Sequence, residues 1–116
     1  MVLPVDAASA LADLTEIASQ VEEAAILDAD GAVVAATAEG ERLAMAAAEL
    51  LRVAEARLGR PVTQFEAALR EGSVFVVRGD GRSIAARTLP RPHSALVRHD
   101  LAACLASVDA PEPVHA

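Results

Sequence analysis

VEEAAILDADGAVVAAT, residues 21–37, decides how this chain folds. Two short apolar runs flank Asp28-Ala29-Asp30-Gly31, where Gly31 can take a positive φ at little cost. The segment therefore reads as a β-hairpin. Within its first run, Ala24 and Ile26 point to one face while Ala25 and Leu27 point to the other. A strand that is apolar on both faces needs cover on both sides.

The flanking segments supply that cover. Asp6 is placed to cap a helix over about 7–20, with Leu11, Leu14, Ile17 or Ala18, and Val21 forming a narrow stripe. After the hairpin, LAMAAAELLRVAEARLG (43–59) reads as a second helix, entered from Glu39-Gly40-Glu41 and stopped by Gly59-Arg60-Pro61. VTQFEAAL, SVFVVRG and RSIAART follow as three strands, separated by Arg70-Glu71-Gly72 and Gly79-Asp80-Gly81. In the middle one, Val74 and Val76 oppose Phe75 and Val77, so this strand also needs cover on both faces. Beyond Pro90 and Pro92, a last helix from about His93 to Ser107 carries Val97, Leu101, Cys104 or Leu105, and Val108 on one stripe. The order is α-β-β-α-β-β-β-α. It predicts an α+β sandwich: a five-stranded antiparallel sheet with helices on both faces.

The 116 residues suit one domain, 1–116, with a core over about 7–108 and a Pro-rich, acidic tail at 109–116 expected to fray. Hydrophobic residues make up 53%, mostly Ala, Val and Leu, and Phe65 and Phe75 are the only aromatics. Such small side chains let helices and sheet approach closely. The net charge is −7, and every one of the ten basic residues is Arg. That balance argues against nucleic acid, which needs clustered cations and stacking aromatics, and against an anionic membrane surface. No apolar run reaches about 18 residues, and the first residues lack a basic region typical of a leader; the expected location is the cytoplasm.

No catalytic constellation emerges. Ser94, His99 and Asp100 share one helix, but His99 and Asp100 diverge by about 100° and no glycine elbow presents the serine. His93 and His99 are six apart, and with no HxxxH or CxxC a metal site has nothing to build on. Asp28 and Asp30 lack the later ligands of a calcium loop, and Arg78-Gly79-Asp80 reads as turn chemistry. Cys104 reads as a buried structural thiol. The expectation is a protein without catalytic, cofactor or metal residues, not an enzyme by itself.

The middle helix carries the functional signal. Stepping 100° per residue, its apolar residues from Leu43 to Leu58 fill roughly half the cylinder, wider than the stripe of about 100° that one packing contact uses. Packing on the sheet would use Leu43, Ala47, Leu50, Ala54 and Leu58. One flank is then left over: Ala44, Ala48 and Leu51, or Ala46 and Val53. The strand after this helix alternates, with Phe65, Ala67 and Leu69 inward and Gln64 and Glu66 outward, and it is long for a sheet edge. Pairing it with its own copy would set two middle helices side by side in a twofold dimer. AVVAAT could equally serve as the paired edge.

The hairpin at 21–37, the element order and LVRHDLAACL (96–105) together resemble the Roadblock/dynein light-chain domain family, over about residues 7–108. Val21, Asp28, Asp30, Gly31 and Ala36 fit its pattern. The resemblance implies the profilin-like strand order 2-1-5-4-3, with the middle helix on one face and the first and last helices on the other. It implies a homodimer through the middle helix and third strand, with Ala44, Ala48, Leu51, Val53, Val62, Gln64, Phe65 and Glu66 at the interface. For the bacterial members it implies a non-enzymatic scaffold or regulator whose partner is a small Ras-like GTPase. Arg42, Met45, Glu49 and Arg52 are then the surface offered to that partner. The competing readings are a small-ligand sensing module of PAS-like type and a purely structural self-association module.

Overall fold

The structure, a computed structural model, describes residues 6–79 and 81–108; Asp80 and the tail expected to fray lie outside them. Helix α1 spans Ala7–Ile17, and the backbone N–H of Ser9 donates to the Asp6 carboxylate at 2.8 Å, closing its first turn. The choice between Ile17 and Ala18 resolves to Ala18: it is buried, whereas Ile17 is 78% exposed. The helix stops short of residue 20 because Ala18 already leaves helical geometry.

Strands β1 (Val21–Leu27) and β2 (Val33–Ala36) form the expected hairpin. Asp28 organises its turn, with Oδ1 accepting from the N–H groups of Asp30 at 2.9 Å and Ala32 at 3.0 Å. Gly31 sits at φ +84°, a conformation that glycine adopts without a Cβ penalty. The hydroxyl of Thr37 donates to the Glu23 carboxylate and accepts from the Ala24 N–H at 3.0 Å, fastening the exit of β2 to β1.

Helix α2 (Gly40–Leu58) begins three residues earlier than the apolar pattern suggested and ends at Gly59, which takes φ +69°. It is followed by β3 (Gln64–Leu69), β4 (Gly72–Gly79), β5 (Arg82–Thr88) and α3 (Ser94–Ser107). The strands make one antiparallel sheet in the order β2-β1-β5-β4-β3. The central pair is β1 with β5, aligning Ala24 with Ala86 and Ile26 with Ile84.

The alternation in β1 and β4 divides the interior as expected. Ala24, Ile26, Phe75, Val77, Ile84 and Ala86 face α1 and α3. Ala25, Leu27, Val74, Val76 and Ala85 face α2. Phe75, Ile26, Ile84 and Leu101 are essentially fully buried, each worth about 1.5–3 kcal/mol of burial. Alanines at the sheet centre, Ala24, Ala25, Ala85 and Ala86, have no exposed surface. Their small side chains let the helices sit close enough to exclude water without aromatic bulk.

Candidate interaction surface

Gly40 sets the rotation of α2 on the sheet. A Cβ at this position would lie 2.5 Å from the Ala24 carbonyl oxygen and 2.8 Å from the Ala36 Cβ. Only glycine therefore lets the first turn rest directly on the β1–β2 backbone. In the helical projection Gly40 falls between Ala47 and Leu51, so the line facing the sheet must run there. Leu43, Ala44, Ala47 and Leu51 are accordingly the buried residues. Leu50 and Ala54 are only half-buried, and Leu58 is 57% exposed at the last turn. The helix is turned by about 40° from the face that apolar periodicity predicts, because periodicity carries no signal of the Gly40 contact with the sheet.

This rotation changes what each expected interface residue does. Ala44 and Leu51 are 2% and 7% exposed, covered by the chain's own sheet, and have almost no surface left for a second copy. Ala48 is exposed beside a hollow of about 180 Å³ between α2 and the ends of β1, β5 and β4. Val53 lies on the opposite flank, 46% exposed, with Ala46 exposed and Leu50 half-buried next to it. Leu50, Val62 and Phe65 are each half-buried against the rim of the α2-side core, which brings part of this flank and the start of β3 onto the same core.

β3 ends the sheet and pairs only with β4, leaving its other edge free among the described residues. On its α2 face Phe65 and Ala67 are half-buried and Leu69 is 61% exposed. No helix covers this corner fully, which is why the expected inward residues keep surface. Gln64 and Glu66 point to the other face, both exposed. Glu66 is tied there to α3: its carboxylate accepts from the Ser94 hydroxyl at 2.6 Å and from Arg98 Nη1 at 3.0 Å.

The approach to β3 is held by a residue that sequence reasoning missed. Glu55 Oε2 accepts from the Val62 N–H at 2.9 Å and from Arg78 Nη1 at 3.0 Å. These contacts, the backbone N–H first and Arg78 after it, hold its carboxyl below the usual carboxylate range. The bond links the end of α2 to the entry of β3 and the end of β4. Nothing in the local sequence marks Glu55, since both partners are brought in by the tertiary fold.

Arg42, Met45, Glu49 and Arg52 all lie on the solvent side of α2, Met45 being 76% exposed. Arg52 and Glu49 form an i,i+3 ion pair at 2.5 Å, which lowers the Glu49 carboxyl and raises the Arg52 guanidinium. An exposed pair of this kind adds little stability, but it fixes two opposite charges on one face. Across the sheet, Cys104 is buried, its Sγ 3.5 Å from the Ala10 carbonyl oxygen. Burial, assisted by the Asp13 charge, pushes its thiol up to about 11. Among the described residues, no three His, Cys, Asp or Glu side chains are grouped to hold a metal ion. No helix there is long and apolar enough to cross a membrane.

The architecture matches a solved structure closely. The Roadblock/LC7 domain from Streptomyces avermitilis superposes with a TM-score of 0.73 at 21% identity, over 89% of this chain and 94% of that one. The fold is that of a Roadblock/LC7 domain. MglB of Myxococcus xanthus shares this Roadblock fold, with a TM-score of 0.68 at 14% identity, covering 87% of this chain and 89% of its own. A chain of the LokiProfilin2/rabbit actin complex matches with a TM-score of 0.58 at 16% identity, over 83% of this chain and 90% of that one. The Roadblock fold is thus also profilin-like, as the strand order implies. No family model and no curated protein matches the sequence.

Proposed function

We propose that the protein is a non-enzymatic homodimer that binds a small Ras-like GTPase and regulates it. The observation carrying this reading is the coincidence of a free β3 edge with an apolar flank of α2 formed by exposed Ala46 and Val53 beside half-buried Leu50. Pairing β3 with its copy satisfies the backbone groups along that edge and extends the sheet across a twofold axis. The same operation brings the two Val53 flanks together. In this interface Val62, Gln64, Phe65 and Glu66 run along the joined strands. Ala48 borders the dimer platform rather than its seam.

Two α2 helices side by side then present Arg42, Met45, Glu49 and Arg52 in duplicate. A charged surface with exposed Met side chains suits a protein partner. The likeness to MglB and the pattern of the bacterial Roadblock domains support a GTPase as that partner. A small-ligand sensor is less well supported, because the hollow between α2 and the sheet is lined mainly by Ala, Leu and Val and lacks the aromatic side chains common in ligand sites.

The test uses small Ras-like GTPases from the same genome, loaded with GDP or with a non-hydrolysable GTP analogue. Binding is measured by interferometry, and hydrolysis and exchange rates are measured with and without the protein. The proposal expects nucleotide-dependent binding that falls at least about tenfold, or 1.4 kcal/mol, in Arg52→Glu or Met45→Glu. A dimer that binds none of these GTPases would leave the purely structural reading.

A further inference from the structure

Charge is unevenly divided along the chain. No basic residue precedes Arg42, while nine acids do, so α1, β1 and β2 contribute only negative charge. Arg87 reaches back to Glu22 at 3.7 Å, but among the described residues Asp13, Glu16 and Asp100 enter no ion pair. These three acids lie on the α1–α3 layer, on the sheet face opposite α2.

Between α1 and α3 runs a trough with a volume of about 260 Å³. Ile17 and Ala103 contribute its open apolar surface over a floor of buried Leu14 and Cys104, and Asp13 and Asp100 stand on its two sides. Ile17 is 78% exposed at one end of the trough, the most exposed of the large apolar side chains. Leu96, 47% exposed, lies on the same line of α3 as Asp100 and Ala103. A branched side chain this open was not needed to close the core, since Ala18 fills that place.

We infer that the α1–α3 trough is a docking site for a basic amphipathic segment of another protein. An aliphatic side chain of that segment seats against Ile17 and Ala103, with Arg or Lys flanking it to meet Asp13 and Asp100. Charge complementarity selects this occupant: among the described residues no cation lines the trough, so an acidic segment or a second trough of this chain would meet repulsion. The site lies on the layer away from β3 and α2 and is independent of the dimer and of the GTPase reading. It would let one protomer hold two partners at once.

The test starts from a random-peptide display selection against the full chain, followed by fluorescence anisotropy with the enriched synthetic peptides. The expected consensus has one or two aliphatic residues flanked by Arg or Lys. Affinity should fall at least about tenfold in Ile17→Ser and in Asp13→Arg/Asp100→Arg, and it should weaken as salt is raised. Arg52→Glu on the other face should leave it unchanged. Both trough positions are at the surface, and circular dichroism checks that each variant stays folded. The inference is overturned if no peptide is enriched, if enriched peptides lack basic residues, or if they bind the trough variants as tightly as the parent. It is also overturned if Ile17→Ser changes the sedimentation of the protein alone, which would make the trough a contact between copies.

Discussion

Replacing Gly40 with Ala separates the tertiary account of α2 from local propensity. Ala is the better helix former, by up to about 1 kcal/mol, so propensity alone expects stabilisation. The structure expects the reverse. The added methyl would sit 2.5 Å from the Ala24 carbonyl oxygen and 2.8 Å from the Ala36 Cβ, against a backbone that cannot rotate away. Normal contact begins near 3.5 Å, so the first turn must lift by about 1 Å. Such overpacking costs about 1–3 kcal/mol, and the lift also loosens Leu43, Ala44 and Ala47 on the sheet. The net loss is about 2 kcal/mol, or roughly 8–15 °C in Tm for a domain of this size. The chain has no Trp or Tyr, so urea unfolding is followed by far-UV circular dichroism. Both proteins are compared at one concentration, because the proposed self-association would add to apparent stability. Equal or greater stability of Gly40→Ala would refute the close approach and the rotation of α2 drawn from it.

Other perturbations read the remaining parts of the fold. Phe75→Ala should cost about 3–5 kcal/mol by urea unfolding, because the ring is wholly buried at the centre of the α1–α3 side. Cys104 should resist thiol reagents at neutral pH. Its thiol is held up at about 11 against an ordinary 9.0, so stability is full below pH 9 and declines as pH rises toward 11. Cys104→Ala should flatten that alkaline decline in pH-dependent urea melts. Glu55→Ala should speed amide exchange at Val62 by roughly two- to tenfold, the response to a lost hydrogen bond of ordinary strength. Because the Glu55 carboxyl is depressed below its ordinary 4.5, its contribution is present above that pH and lost as pH falls through the lowered value.

The fold was legible because binary patterning and turn chemistry agree along most of the chain. The two-faced apolar strands at 24–27 and 74–77 require helices on both sides, and Asp28 to Gly31 leaves little choice but a hairpin. The candidate surface was half legible. The free β3 strand and an excess of apolar surface on α2 could be read from spacing, but the rotation of α2 could not. That rotation depends on Gly40 touching the β1 backbone, a contact between segments that helical periodicity does not encode. For the same reason Ala44 and Leu51 looked available to a partner and are instead packed inside the chain. Glu55 was invisible for a related reason, since both of its partners are brought to it by the tertiary fold.

Sedimentation equilibrium of the parent chain and of Val53→Glu, at micromolar concentration, tests the proposed dimer most directly. The account predicts a parent species of twice the 11.9 kDa chain mass and a folded monomer for Val53→Glu. It predicts no loss of association for Ala48→Glu, which lies on the other flank. A parent that stays monomeric, or a dimer broken by Ala48→Glu and untouched by Val53→Glu, would contradict it.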